Sequence, residues 1–162
     1  HHRTDIPGYG YQIEHGATSL AEAWDAEPRS SQNHIMLGQI VEWFYHDLAD
    51  IRPDAGQPGF KHTIIHPEII TGLDSAGADY RTLHGTISVR WSRMGDRLRL
   101  HVTIPHNTTA TVHVPSRGRR VTEGGRPAHR AQGVQFLQTN GDRMIFSIGS
   151  GDYHFESVLP VR

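Results

Sequence analysis

Two patterns of hydrophobic and polar residues divide the chain. Over residues 18–50 the apolar positions recur at steps of three and four, which is typical of amphipathic helices. From residue 60 onward apolar and polar positions alternate, as they do in half-buried strands. The Pro- and Gly-rich segment 51–59 lies between them. The pattern predicts a helical part over residues 1–52 and a β domain over residues 58–162.

The helical part predicts two helices. The first runs from about Ser19 to Ala26, with Thr18 or Ser19 as its N-cap and Glu22 at the capping-box spacing. The second runs from about Asn33 to Leu48 or Ala49 and carries an apolar stripe: Met36, Leu37, Ile40, Val41, Phe44 and Leu48. Two such helices do not bury their apolar faces on each other alone, so we expect them to be the last hairpin of a larger helical assembly.

The β domain predicts about seven or eight short strands, a number and spacing typical of an antiparallel β-sandwich. The expected strands are Phe60–His66, His84–Arg93, Arg97–Ile104, Thr109–Val114, Gly133–Gln138, Arg143–Ile148 and Tyr153–Val158. The clearest hairpin turns at Gly95-Asp96, with Ile87, Val89 and Trp91 on one face of its first arm. The fold class expected for the whole chain is therefore α+β.

Composition excludes several function classes. The 162 residues hold 16 Lys+Arg and 17 Asp+Glu, a balance that argues against nucleic acid or an anionic membrane as partner. The absence of cysteine excludes disulfides, thiolate metal sites and a Cys nucleophile. The 13 histidines form no His-Glu-x-x-His motif and no compact cluster, so neither a metal site nor a cofactor is predicted. No signal peptide is visible, which leaves cytoplasm and periplasm both open.

The residues with distinctive chemistry concentrate in the first fifty positions. Carboxylates, aromatic rings and a histidine gather there around a glycine-rich loop: Tyr9, Glu14, Glu22, Trp24 and His34. Aromatic faces stack on sugar rings, while carboxylates bind hydroxyls and move protons. This combination is typical of a carbohydrate site.

Four motifs give a family resemblance. The first, Gly16-Ala17-Thr18-Ser19-Leu20-Ala21-Glu22-Ala23-Trp24, is similar to a Gly-Ala-Thr-Thr-x-Trp-Glu-x-Trp motif, with Ala21 in place of its first Trp. The others are Asn33-His34 with Gly38 and Glu42-Trp43-Phe44-Tyr45, then Pro58 to His62, then Ile104 to Ala110. In this order they resemble the end of a bacterial α-L-rhamnosidase of the inverting, (α/α)6-barrel kind.

The resemblance implies a fold, a reaction and roles. The chain would hold the last helical hairpin of the catalytic barrel followed by a C-terminal β-sandwich, and its substrate would be a terminal rhamnosyl glycoside. Glu22 matches the general base that activates water, and His34 matches a histidine near the sugar. The general acid is expected from an earlier part of the barrel, so the remainder of that barrel is an implied partner.

Alternatives stay open at this point. Glu22 as a capping-box residue is the structural alternative to Glu22 as the base, and Glu14 is the rival base or a hydroxyl-binding residue. Tyr9, Tyr11 and Trp24 are either core residues or a sugar platform. At the level of function, the alternative is a stand-alone carbohydrate-binding or structural β-sandwich without catalysis. The length of the parent reading frame distinguishes the two.

Overall fold

The computed structural model describes residues 4–25 and 27–159, and within it the chain forms two compact units. The helical unit spans residues 1–43 and the sandwich unit residues 44–162. No helix in the described ranges is both long and apolar enough to cross a membrane.

The helical unit begins with a short helix that the sequence pattern did not predict. Helix α1 spans Tyr9–Glu14 and begins after Gly8, whose backbone is extended. Gly8 and Gly10 lower the intrinsic helix propensity of this segment, which explains why the pattern missed it. After a loop, a 3₁₀ turn at Ile35–Gly38 leads into helix α2, Gln39–Trp43.

The predicted helix from Ser19 to Ala26 is wrong over its described residues, because 19–25 form a non-helical loop. The backbone bonds of this loop go across to a later segment instead of along a helix. Leu20 O accepts the His34 N–H at 2.7 Å, and the Glu22 N–H donates to Ser31 O at 2.8 Å. The Ser19 hydroxyl donates to Gln32 O, so it caps no helix. The capping-box interpretation of Glu22 is therefore also wrong.

The second predicted helix is present but changes pitch along its length. The 3₁₀ turn and α2 are followed by a π-helical turn, Phe44–Leu48, which opens the sandwich unit. The Ala49 N–H donates to Phe44 O at 3.1 Å, a bond over five residues that defines the wide turn.

The sandwich unit contains two sheets, and its described residues form eleven strands. They are β1 Ile51–Pro53, β2 His62–Ile65, β3 Ser75–Thr82, β4 Gly85–Met94, β5 Arg97–Ile104, β6 Thr109–Pro115, β7 Thr122–Glu123, β8 Arg126–Pro127, β9 Val134–Asn140, β10 Arg143–Ile148 and β11 Gly151–Val158. One sheet has the order β1-β2-β6-β10-β9, and the other β3-β4-β5-β11-β7-β8. Neighbouring strands pair antiparallel except β2 and β6, which are parallel.

The predicted β4–β5 hairpin is confirmed and supplies much of the core. Ile87, Val89 and Trp91 are buried on β4, and Leu98, Leu100, Val102 and Ile104 on β5. Gly95 takes the positive φ (61°) of the turn. Apolar residues of the other sheet meet them: Ile65, Val112, Val114, Phe146 and Ile148. The alternating pattern of the sequence thus corresponds to one buried face on each sheet.

Four strands lie where the sequence pattern predicted none: β1, β3 and the two-residue strands β7 and β8. Strand β1 falls in the segment predicted as a linker, and its Ile51 is buried in the core. Strand β3 reads Ser-Ala-Gly-Ala-Asp-Tyr-Arg-Thr, which has small residues where a strand pattern has large apolar ones. It pairs along its whole length with β4, so tertiary pairing and not local pattern decides its structure.

Candidate active site

Glu22 lies on the loop over residues 18–25, and its side chain is exposed. The loop is irregular but its backbone is hydrogen-bonded: the Glu22 N–H donates to Ser31 O at 2.8 Å. The carboxylate can therefore contact a ligand while the backbone hydrogen bonds of the loop stay intact.

The other side of the same loop is held by Gln12 of α1. This side chain is 3% exposed, and its Nε2 donates to Ala21 O at 3.2 Å and to Ala23 O at 3.0 Å. The two carbonyls belong to the residues on either side of Glu22. Sequence reasoning missed Gln12, because this polar residue lies between Tyr11 and Ile13 in a segment for which no helix was predicted.

His34 lies directly before the 3₁₀ turn and is half-buried. Its backbone N–H donates to Leu20 O at 2.7 Å, two residues before Glu22. The structure therefore brings together the two segments that carry the predicted base and the predicted sugar-binding histidine.

Tyr9 and Trp24 form an aromatic pair beside this loop. Their ring centroids lie 5.3 Å apart at 67°, an edge-to-face contact. The Tyr9 hydroxyl donates to Leu37 O, which ties α1 to the 3₁₀ turn. Tyr9 is still 38% exposed, so part of its ring is open.

Glu14 is the last residue of α1, and its side chain is exposed. Beside it in sequence, the His15 ring stacks on Tyr11 with centroids 3.8 Å apart. Glu14 thus lies outside the hydrogen-bonded loop that carries Glu22.

Much of the helical unit's apolar surface is exposed. Ile35 is 82% exposed, Ile13 71% and Met36 63%, and Ile40, Val41 and Trp43 are also exposed. Among the described residues of this unit, Ala21 is the only apolar one that is fully buried. The unit as it stands has almost no hydrophobic core of its own.

A second group of ionisable residues lies in the sandwich unit, around the buried Asp50. Arg52 Nη2 donates to Asp50 Oδ2 at 2.9 Å, and His66 Nδ1 lies 3.3 Å from the same oxygen. Arg52 Nε lies 2.5 Å from Asp50 Oδ1 but is not aligned for a hydrogen bond with it. Burial raises the pKa of Asp50 to about 6, and Arg52 works against that rise.

The pKa values of the two histidines in this group, His66 and His113, are lowered. Burial, and then the neighbouring His66, lower the pKa of His113 to about 4. Burial also lowers the pKa of His66, whose ring meets that of His113 edge-to-face at 4.7 Å. Both rings are therefore neutral at pH 7, where imidazole is a hydrogen-bonding group and not a charge. Among the described residues, no three His, Asp or Glu side chains are arranged to hold a metal ion.

Comparison with known proteins matches both units. Residues 1–48 match the family model described as the bacterial alpha-L-rhamnosidase 6 hairpin glycosidase domain, and residues 51–128 match the bacterial alpha-L-rhamnosidase C-terminal domain. An alpha-L-rhamnosidase of Streptomyces avermitilis is 31% identical over 163 residues, which is 95% of this chain and 15% of the relative. One of Alteromonas sp. is 32% identical over 119 residues, 68% of this chain and 13% of the relative.

Solved structures agree. The Streptomyces avermitilis alpha-L-rhamnosidase complexed with L-rhamnose superimposes with a TM-score of 0.74 and 30% identity, over 96% of this chain and 15% of that one. The alpha-L-rhamnosidase from Dictyoglumus thermophilum gives a TM-score of 0.75 and 32% identity, over 95% of this chain and 18% of that one.

The fold and these matches define a class: part of a six-hairpin glycosidase domain followed by a C-terminal β domain. Within that class, the chain belongs to the bacterial α-L-rhamnosidase family. It spans about 15% of the length of the Streptomyces relative. The family and the fold class that the four motifs predicted are confirmed.

Proposed function

We propose that this chain is the C-terminal part of an α-L-rhamnosidase, an enzyme that removes terminal α-L-rhamnose by an inverting mechanism. In this proposal residues 1–52 end the catalytic barrel, with the last of them (Leu48, Ala49 and Ile51) buried in the sandwich core, and residues 58–162 form the C-terminal β-sandwich domain. The observation that carries it is the exposed Glu22 carboxylate on a loop whose backbone is hydrogen-bonded on both sides. A general base has to present a free carboxylate from a fixed position.

Glu22 acts in this proposal as the base that takes a proton from the attacking water. Inversion needs a water between the base and the anomeric carbon, which separates the two catalytic carboxyl groups by ~6.5–9.5 Å. The general acid that protonates the leaving oxygen comes from outside these 162 residues, in the rest of the barrel. Glu22 therefore supplies the general base only, on the face of the sugar that the water attacks.

His34 and the aromatic pair are the proposed sugar contacts. The backbone hydrogen bond from His34 to Leu20 O holds the histidine segment next to the loop that carries Glu22. Tyr9 offers the exposed part of its ring, with Trp24 fixing that ring from the side. Glu14 is proposed as a hydroxyl-binding residue and not as the base, since it lies outside the bonded loop.

The exposed apolar residues of the helical unit support a partner surface. Ile35, Met36 and Val41 are more than half exposed, although water disfavours such large apolar side chains. Earlier hairpins of the barrel are the partner we propose for them. Their burial would give the helical unit the core that it lacks on its own.

The stereochemistry of the product tests the reaction class. In the full-length protein that we propose carries this segment, p-nitrophenyl α-L-rhamnoside is hydrolysed while proton NMR follows the anomeric signal of the released sugar. The proposal predicts that β-L-rhamnose appears first and the α anomer only later, by mutarotation. Initial release of α-L-rhamnose would contradict inversion. The 162-residue chain alone is the control and should release no p-nitrophenol, because it lacks the general acid.

A further inference from the structure

The Gln12 side chain is buried, polar and committed to one loop. It is 3% exposed, and its Nε2 donates both of its hydrogens to backbone carbonyls, those of Ala21 and Ala23. A carboxamide nitrogen has two hydrogens to donate, so this nitrogen is fully satisfied. A buried polar side chain is kept in place when its hydrogen bonds are made, since leaving them unmade costs the desolvation of the group.

These two bonds bracket Glu22. Ala21 and Ala23 are its immediate neighbours, and Ala21 is completely buried. With the carbonyls on both sides fixed to one amide, the backbone at Glu22 cannot rotate without breaking at least one bond. The exposed carboxylate is thus carried by a backbone anchored from beneath.

The opposite edge of the same loop is anchored independently. The Glu22 N–H donates to Ser31 O, and Leu20 O accepts the N–H of His34. Helix α1 is also bonded to the residue just before the loop, because the Ala17 N–H donates to Gln12 O at 2.9 Å. Gln12 therefore supplies the contact from the α1 side, and the backbones of Ser31 and His34 supply the contact from the other.

We infer that Gln12 is a positioning residue for the Glu22 carboxylate. The inference rests on the proposed function, in which that carboxylate activates water. Gln12 itself touches no substrate, because its amide is buried and directed at the backbone. Its contribution is to hold the base where the water gap of an inverting site requires it. Misplacing a catalytic group by about 1 Å can cost 10²-fold in rate.

The test is a double-mutant cycle on hydrolysis of p-nitrophenyl α-L-rhamnoside by the full-length protein. Gln12→Met keeps the length of the side chain and removes both donors. In the wild-type background we expect kcat to fall about 10- to 100-fold, with KM changed by less than about threefold. In a Glu22→Gln background we expect Gln12→Met to have almost no further effect, because a residue that acts through the base has nothing left to position.

Gln32→Met is the matched control. Gln32 Nε2 also donates to two backbone carbonyls, those of Glu27 and Ser30, but it is exposed and does not bracket Glu22. Gln32→Met should leave kcat within about twofold of wild type. The loss of two side-chain hydrogen bonds then lowers kcat only where those bonds bracket Glu22. If Gln12→Met does not fold, Gln12→Asn, which keeps the amide but not its reach, takes its place in the same cycle.

The outcomes separate two failures. If Glu22→Gln retains normal kcat, the assignment of the base is wrong and the role of Gln12 falls with it. If Glu22→Gln lowers kcat ~10²–10⁴-fold as expected, but the Gln12 variant keeps its kcat or lowers kcat equally in both backgrounds, then the base stands and the positioning role of Gln12 is overturned.

Discussion

The pKa values of Asp50 and His113 are shifted in opposite directions within one cluster of the sandwich unit, upward for Asp50 and downward for His113. The charged and titratable groups around them are Asp47, Arg52, His66, Glu68, Asp142 and Arg143. Arg143 joins the cluster through Glu68 at 2.9 Å and through Pro67 O at 2.9 Å. Such a cluster makes stability depend on pH wherever the folded and unfolded chains bind different numbers of protons.

The histidine contribution is lost in acid. The pKa of His113 is about 4 in the folded chain against 6.5 for a free imidazole, so the unfolded chain binds more protons between these values. The free energy of unfolding therefore falls as pH drops from about 6.5 to 4. Asp50 acts in the opposite sense, since its pKa of about 6 lies above the usual 3.8 and its protonation favours the folded chain. One group changes stability by at most about 1.4 kcal/mol per pH unit.

We therefore expect two variants to change the pH dependence of stability in opposite ways. Asp50→Asn removes the compensating group, so its free energy of unfolding should fall more steeply than wild type between pH 6 and 4. His113→Gln should fall less steeply. Urea denaturation of the 162-residue chain at pH 6, 5 and 4 measures both slopes. Equal slopes in the three proteins would show that the cluster does not titrate as described.

Gly77 on β3 allows the close approach of Arg90 on the paired strand. A Cβ at Gly77 would lie 2.6 Å from Arg90 Cγ and 2.8 Å from Val89 O. Gly77→Ala should lower the free energy of unfolding by ~1–3 kcal/mol, because the main-chain oxygen cannot move away without disturbing the ladder. Gly56→Ala is the control, since its Cβ would meet only Asp54 Oδ1 at an ordinary 3.6 Å. Thermal melting that gave the two variants equal midpoints would refute this account of Gly77.

At the level of elements, the segment 44–53 belongs to the sandwich core. Leu48, Ala49 and Ile51 are buried in it, and Trp91 Nε1 donates to Leu48 O at 3.1 Å. Strand β1 also covers the edge of β2. The π-helical turn and β1 are thus parts of the β domain's hydrophobic core and not merely a connection to it.

A fragment of residues 44–162 should therefore unfold at a clearly higher temperature than one of residues 60–162. The shorter fragment loses three buried apolar side chains and leaves the indole N–H of Trp91 without its partner. We expect a difference of ~2–5 kcal/mol in the free energy of unfolding. Circular dichroism melts of the two fragments measure it. Equal stability would mean that segment 44–53 adds nothing to the core.

Elements with strong alternation were predictable from the sequence, and those fixed by long-range bonds were not. The β4–β5 hairpin is correct because Ile87, Val89 and Trp91 carry a period of two that local pattern alone reveals. The loop at Glu22 was predicted as a helix because its apolar spacing satisfies that pattern equally well. Its actual backbone partners, Ser31 for Glu22 and His34 for Leu20, lie nine and fourteen residues away in sequence, where a local pattern does not reveal them.

The candidate site follows the same division. Glu22 and His34 were predicted from the family motifs, which can be recognised from their residues and their order in a single sequence. Gln12 was not found, because its importance lies in which carbonyls its amide reaches, and that depends on the folded loop. The roles of Glu22, His34, Glu14, Tyr9 and Trp24 remain predictions.

On the scale of the whole molecule, the two units differ in how much hydrophobic core each has of its own. The sandwich unit has a continuous core formed by both of its sheets. The helical unit exposes Ile35, Met36 and Ile13 and buries little apart from Ala21 and Gln12 among its described residues. This asymmetry is what we expect if the helical unit completes its core with hairpins that lie outside these residues, as the six-hairpin family match suggests.

The central claim is that Glu22 is the general base, and one substitution pair tests it most directly. In the full-length protein, Glu22→Gln removes the proton acceptor and keeps the size of the side chain, so kcat for p-nitrophenyl α-L-rhamnoside should fall ~10²–10⁴-fold with little change in KM. Glu14→Gln, the matched control, should keep most of its kcat. A Glu22→Gln protein with near-normal kcat beside an inactive Glu14→Gln protein would contradict the account and assign the base to Glu14.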